Sequence, residues 1–406
     1  LVECQKESNI IKVTVNNFLP GSIADNQSIC ENTAAAPLTS VSPTGDGTFT
    51  YRWRRSTDGV NFSLIGSAIG ETYNPGILTA DTWFRRIVRS TVNGKTCVDS
   101  TDVVKITVIN FNPGSITGEQ IICEGDIPVP LGSNPPSGDG PFTYQWKQSA
   151  DGITWTNVPS GGSGPTYAPP ALTQDSWYKR VVTSSNGIAS CSLETDPVKV
   201  TVINFNPGSI ASDQTICEGT APATFTSVAA SGDGIKSYQW QISTNGTDFT
   251  DINLANGATY TSPAITQDTW FRRLSIATDD TKSCFLATNT VFVKVIKFDP
   301  GEIEDNQTIC EGEVPALITE KTTASGNGTI TYLWQSSLDN SDWNNITGAT
   351  SATYAPGPLT QDTYFRRQVT ATLDGRTCIE WTPSIIVRIN NLTPGSIAGT
   401  QTICEG

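Results

Sequence analysis

The stretch FNPGSIASDQTICEG, Phe205 to Gly219, constrains the fold of this chain more than any other feature, because it returns four more times. It recurs as FLPGSIADNQSICEN from Phe18, FNPGSITGEQIICEG from Phe111, FDPGEIEDNQTICEG from Phe298 and LTPGSIAGTQTICEG from Leu392. The starts lie 93, 94, 93 and 94 residues apart, and the sequence between them repeats too. A fixed period of this kind marks a tandem array. The repeats run 18–110, 111–204, 205–297 and 298–391, between the end of a preceding repeat (1–17) and the start of a following one (392–406). A period of this length suits one small β-domain with a modest core of its own.

Each period is punctuated as an all-β unit. In the third, Pro207-Gly208 sets a sharp turn, with Pro fixing φ at the first corner and Gly supplying positive φ at the second. A short strand then ends at Ile216-Cys217, a second is expected near Ala223 to Val228, and Gly232-Asp233-Gly234 makes the next turn. The alternating Tyr238-Gln-Trp240 follows, with Trp53, Trp146 and Trp334 at the same place in the other repeats. Period-two aromatics between glycine turns signal a half-buried strand, and these four indoles are the candidate core tryptophans. A hairpin turn at Asn245-Gly246, a short strand from Phe249 to Ile252, the segment Ile265 to Arg273 and a last strand at Val291 to Val295 complete about seven strands. No helical periodicity interrupts them. The expected architecture is a rod of four β-sandwiches, each about 30–40 Å long.

Charge and residue content narrow the function. With 25 basic and 39 acidic residues the chain carries a net charge of −14, the wrong sign for nucleic acid or an anionic membrane surface. No run approaches the roughly 20 apolar residues of a membrane span. There is no Met and no visible signal peptide, so Leu1 reads as the start of a fragment or mature segment. The absence of His removes Ser-His-Asp and Cys-His catalysis and imidazole metal sites. No enzyme, metal or cofactor is expected.

The ten cysteines, Cys4, Cys30, Cys97, Cys123, Cys191, Cys217, Cys284, Cys310, Cys378 and Cys404, alternate between gaps of 26 and gaps of 67 or 68. Even number and strict spacing in an all-β repeat imply disulfides and an oxidising compartment; metal thiolates are disfavoured by the lack of CxxC and His. Two pairings are open. Closing the longer gaps would join Cys30–Cys97, Cys123–Cys191, Cys217–Cys284 and Cys310–Cys378, and strand Cys4 and Cys404. Closing gaps of 26 joins Cys4–Cys30, Cys97–Cys123, Cys191–Cys217, Cys284–Cys310 and Cys378–Cys404, with none left over and the Pro-Gly turn near mid-loop. The second is favoured. It would make the segment before each ICEG complete the preceding domain, shifting the folded units to 31–123, 124–217, 218–310 and 311–404.

Other recurring groups have structural readings. Asp81, Asp175, Asp268 and Asp362, each two residues before an aromatic, are expected to cap a turn before a strand. Gly-Asp-Gly supplies one carboxylate where calcium needs six or more oxygens, and the fourth repeat has Asn327. Asn93-Gly94 and Asn186-Gly187 suit type I′ hairpins. Sequons stand at Asn26 and Asn306. The basic pairs Arg85-Arg86, Lys179-Arg180, Arg272-Arg273 and Arg366-Arg367 lie beside Trp83, Trp177, Trp270 and Tyr364. They are expected to cover aromatics on a solvent face, and are also candidate contacts for anionic polysaccharide.

At LTQDSWYKR (Leu172), ITQDTWFRR (Ile265) and LTQDTYFRR (Leu359), taken with YQW and ICEG, the chain resembles the immunoglobulin-like repeats of very large Bacteroidota cell-surface proteins, among them gliding-motility adhesins and other proteins exported by the type IX system. The resemblance spans the whole chain. It implies an immunoglobulin-like sandwich with a core Trp on its third strand, at the cell surface and anchored to the outer membrane through the parent chain. It also implies contact with extracellular surfaces or polysaccharides, and with outer-membrane motility or secretion machinery through other parts of that chain. Alternatives are a stalk displaying an enzyme or binding head, or a self-assembling surface fibre. One departure is clear. No cysteine stands on the sixth strand past the corner aromatic, where Arg is found instead, so the usual inter-sheet disulfide of antibody-type domains is missing.

Overall fold

A computed structural model describes residues 1–393 and 395–400. Their regular structure is entirely β, with no helix among the described residues. The chain divides into two compact units, Leu1–Asn204 and a second from Phe205 onward, each holding two repeats. The 40 strands fall ten to a repeat, numbered β1–β10, β11–β20, β21–β30 and β31–β40.

In the first repeat β1 (Phe18–Leu19), β2 (Ser22–Ile23), β4 (Ser40–Val41) and β5 (Thr44–Gly45) are short, and β3 (Gln27–Cys30) follows the Pro-Gly turn. The long strands are β6 (Thr48–Ser56) and β8 (Thr82–Val92), with β7 (Ser63–Ile65), β9 (Lys95–Ser100) and β10 (Val104–Ile109) beside them. The main sheet has the order β3-β10-β8-β6-β7, with β9 completing a hairpin on β8. Across from it lie the two-stranded ribbons β1-β5 and β2-β4 and the bridge between Leu38 and Tyr73. All ladders are antiparallel except β3 on β10, which is parallel. The same plan recurs in every repeat.

The expected seven strands are therefore ten, because ribbons of two- and three-residue strands replace the second sheet's longer strands. The parallel pairing also corrects the shifted boundaries. The strand ending at each ICEG-type cysteine lies in the sheet of its own repeat, Gln27–Cys30 against Ile106–Ile109, and does not complete the domain before it.

The core sits between the two layers. In the first repeat it joins Leu38, Trp53, Phe84 and Ile106, with Ile29, Ile65 and Tyr73 packed around them. Trp53, Trp146, Trp240 and Trp334 are all fully buried. Each indole N–H donates to a loop carbonyl at 2.9 Å, of Gly70, Gly164, Gly257 and Ser351 respectively, so burial leaves no polar orphan.

Strand alternation decides the basic pairs. Along β8, Phe84, Arg86 and Val88 point into the domain, and Trp83, Arg85 and Ile87 point out. Arg86, Arg180, Arg273 and Arg367 are thus fully buried, which removes them as polysaccharide contacts. The Arg86 guanidinium donates to the carbonyls of Pro20 (2.7 Å), Val41 (3.0 Å) and Glu71 (3.1 Å). Arg180 donates to those of Pro113, Asn134 and Pro165, and Arg273 to those of Pro207, Val228 and Ala258. Arg367 reaches Pro300 and Ala352 and replaces the third carbonyl with the Glu320 carboxylate at 2.5 Å. In every repeat this arginine ties the long strand to the Pro-Gly turn. It also lies over a tyrosine ring, Arg273 at 4.3 Å from that of Tyr238. The turn itself needs its glycine, since Gly21 sits at φ 69° and a Cβ there would overlap the Val41 carbonyl oxygen.

Candidate functional site: the junction between consecutive repeats

The recurring acidic groups fasten backbone. Asp81 Oδ1 accepts the Val108 N–H at 2.8 Å, and Asp175, Asp268 and Asp362 do the same for Val202, Val295 and Ile389. These carboxylates continue the β8–β10 ladder where its backbone pairing ends. That differs from the cap of a local turn anticipated above. In the Gly-Asp-Gly turns Asp46 Oδ2 accepts the Asn17 N–H and Asp139 Oδ2 that of Asn110; Asn327 accepts from Lys297 N–H equally well. An amide can replace the carboxylate because the job is to accept one hydrogen bond. No group of three or more acidic or cysteine side chains able to hold a metal occurs among the described residues.

Two further local readings change. Asn93-Gly94 has positive φ at both residues, as type I′ requires, but in Asn186-Gly187 only the glycine does. There the Asn186 side chain accepts the Ile188 and Ala189 N–H groups in a longer loop. The sequon asparagines are engaged as acceptors, Asn26 from the Lys105 N–H and Asn306 from that of Ile386.

The cystines are the main correction. Cys30 bonds to Cys191 and Cys217 to Cys378, each across 161 residues, with Cα–Cα distances of 5.6 and 5.7 Å. Cys123 and Cys284 are disulfide-bonded as well. Cys4, Cys97 and Cys310 are exposed free thiols, and Cys404 lies outside the described residues. Both anticipated schemes are overturned. A cysteine closing 26 or 67 residues would stay within its repeat or meet the adjoining loop, whereas each resolved bond joins the edge strand of one repeat to the last hairpin of the next.

Within the first unit, β3 carries Cys30 at the sheet edge, and the hairpin of β18 (Ser176–Ser185) and β19 (Ser190–Glu194) brings Cys191 to it. Ile109, Phe111, Val182 and Cys191 form a buried apolar cluster, with Cys30, Phe142 and Tyr144 against it. At the rim Asn186 Nδ2 donates to Ser28 Oγ at 3.1 Å. The second unit repeats this. β23 (Gln214–Cys217) meets the hairpin of β38 (Thr363–Leu373) and β39 (Arg376–Trp381), and Ile296, Ala371 and Cys378 pack with Cys217, Phe298 and Ile330. Here Asp374 takes the rim position, receiving Thr215 Oγ1 at 3.4 Å and Lys294 Nζ at 3.0 Å. A strand edge otherwise open to foreign pairing is thereby covered and covalently fixed. Sequence reasoning missed this junction. The equal 161-residue separation was available, but nothing local distinguishes it from the nearer spacings.

The outward members of the basic pairs remain on the face of the main sheet. Arg85 lies 4.4 Å over the Phe62 ring, Lys179 4.4 Å over Trp155, Arg272 4.1 Å over Phe249 and Arg366 4.2 Å over Trp343.

A family profile described as Domain of unknown function (DUF8696) matches four times, over residues 19–110, 112–204, 206–297 and 299–391. The chain belongs to this family. Each match spans one repeat's strand set, less the first residue of its opening strand, with one buried Trp and Arg, so the family's repeat coincides with the two-layer β-sandwich described above. No curated protein matches the chain. Solved structures that are similar include three N-terminal domains of the bacteriophage RB49 highly immunogenic outer capsid protein (Hoc), 13% identical over 69% of this chain and 100% of that one, TM-score 0.32. The insect immune protein hemolin is 13% identical over 92% and 100%, TM-score 0.27. The ICAM-5 D1–D4 ectodomain fragment is 11% identical over 92% and 100%, TM-score 0.33. Similarity this distant carries no information on partners.

Proposed function

We propose that these repeats form the structural and adhesive region of a long bacterial cell-surface adhesin of the gliding-motility type, exported by the type IX system and held at the outer membrane through the parent chain. The observation that carries this reading is the covalent junction. Disulfides between consecutive immunoglobulin-like repeats serve a protein that must transmit load outside the reducing cytoplasm. The motif resemblance supplies the bacterial surface and the motility. No helix among the described residues is long and apolar enough to cross a membrane. Anchorage through other parts of the parent chain comes with the motif resemblance. Extracellular surfaces or polysaccharides are the proposed partners. The cation–aromatic stacks at Arg85, Lys179, Arg272 and Arg366 are the groups we assign to weak, repeated contact, added through multivalency. A non-enzymatic role is part of the proposal.

The test is to coat beads with antibody against the array and track them on live cells. Beads that bind and travel along the cell support a motile adhesin. Beads that bind and stay fixed contradict it and favour a static stalk or surface layer.

A further inference from the structure

The four cation–aromatic stacks on the outer faces of the main sheets differ in what meets the cation. In the third repeat Arg272 Nε donates to Gln241 Oε1 on the neighbouring strand at 2.7 Å, and in the fourth Arg366 Nε donates to Gln335 Oε1 at 2.7 Å. In the second, Lys179 stands opposite Lys147, and the Glu194 carboxylate bridges them, 2.6 Å from the first ammonium and 3.3 Å from the second. The first repeat places Arg54 opposite Arg85. Arginine has no acceptor to offer, and where Glu194 stands opposite Val181, Ser100 stands opposite Ile87. The Nε atoms of Arg54 and Arg85 are buried without a hydrogen-bond partner, and neither guanidinium joins an ion pair among the described residues. Asp81, just before β8, is already taken by Lys105 at 2.6 Å. Like charges directly opposite on neighbouring strands are destabilising, and only the first repeat leaves such a pair uncompensated.

We infer that the outer sheet face of the first repeat is a binding site for an acidic polysaccharide, with a uronate carboxylate seated between Arg54 and Arg85 as Glu194 is seated between Lys147 and Lys179. Forked guanidinium groups suit a planar carboxylate. Arg52 and Arg89 lie on the same face and are exposed, Arg52 two residues from Arg54 along its strand, a step of about 7 Å. A linear polymer with a carboxylate on successive sugars matches such a row. The charge of the domain agrees. The first repeat has eight basic and eight acidic residues, whereas each of the others is net acidic, the fourth with five and twelve. An anion approaching the first repeat therefore meets no net negative charge on the domain that holds the site. That a polysaccharide carries the carboxylate rests on the adhesive function proposed above; the carboxylate site itself does not.

The sister repeats supply the variants that separate this site from its surroundings. Arg54→Gln rebuilds the Gln–Arg bond of the third and fourth repeats and removes one cation. Ser100→Glu places the second repeat's carboxylate beside the pair and fills the site from within. Glu194→Ser does the reverse, releasing Lys147 and Lys179 and opening a second site. Each introduced residue already occupies the same register position in another repeat, so the sandwich accommodates it.

The experiment titrates the 406-residue chain with oligogalacturonate by calorimetry at low ionic strength. One site per chain is expected, weakened by added salt as exposed charge pairs are. The methyl-esterified oligomer, with the same sugars and no charge, should not bind. R54Q and S100E should each lower the affinity by about tenfold or more with the melting temperature kept, and E194S should raise the stoichiometry to two. Affinity undiminished in both R54Q and S100E, or no binding to the unsubstituted chain, overturns the site. Equal affinity for polyglutamate overturns the polysaccharide and points to an acidic protein instead. A failed titration beside beads that travel on cells strikes this site alone, whereas fixed beads beside a successful titration strike the motility and leave the site standing.

Discussion

At the scale of single residues, the arginine at the end of each Trp/Tyr-Phe/Tyr-Arg/Lys-Arg run does more than its surface-like sequence suggests. Arg273 is fully buried and donates to the Pro207, Val228 and Ala258 carbonyls, with burial pulling its pKa below the ordinary arginine value. Arg273→Leu should destabilise the third repeat by about 3 kcal/mol, since buried carbonyls left unpaired cost about 1–3 kcal/mol each and water can reach some of them. Arg273→Lys should recover only part, because an ammonium cannot fork across three acceptors. Denaturant unfolding measures both, and a loss under about 1 kcal/mol for the leucine variant contradicts the assignment. The turn carboxylates give a pH signature. The Ser56 hydroxyl, the Asn61 and Val60 N–H groups and the Asn61 amide hold Asp58 well below the usual carboxylate range. With a depressed folded value, ionised Asp58 stabilises its turn above about pH 4, and the contribution is lost as pH falls through the folded value. In the third repeat Asn245 Oδ1 accepts the matching hydroxyl and two backbone N–H groups without a charge, and its amide N–H donates to Asp248. Asp58→Asn should therefore keep the turn and flatten the acid side of the first repeat's stability profile. An unchanged acid profile rules this out. The four core tryptophans were legible from aromatic alternation. The arginines were not, although the same alternation forbids two adjacent strand residues from sharing a face.

At the scale of elements, the strands most legible in the sequence were those with clean period two, such as Tyr238 to Trp240 and Val291 to Val295. Of the short ribbon strands only the one expected near Ala223 to Val228 was readable, and it lies at Thr226–Val228; the others left no pattern, because their partners are fixed by the Pro-Gly turn and the buried arginine. The parallel β3–β10 pairing was also hidden, since it joins segments at opposite ends of a repeat. The junction hairpin is the element with most at stake. A disulfide closing 161 residues stabilises by up to about 5 kcal/mol in the loop-entropy model. A C30S/C191S variant should lower the melting temperature of the first unit and let its two repeats unfold in separate transitions. Calorimetry of wild type and variant decides this. One unchanged transition in both would mean that the apolar cluster alone couples the repeats.

At the scale of the whole molecule, each unit holds two copies of one sandwich joined by an element that belongs to neither copy alone. Composition, period and turn chemistry were sufficient for the all-β tandem array. Connectivity was not legible, because an evenly repeated cysteine offers several equal spacings and the true one is chosen by packing between repeats. The account rests on that choice. Non-reducing proteolysis followed by mass spectrometry of the disulfide-linked peptides tests it most directly. It should return Cys30 linked to Cys191 and Cys217 linked to Cys378. Peptides joining Cys191 to Cys217, or Cys217 to Cys284, would contradict the stapled junction and restore a pairing at the shorter spacings.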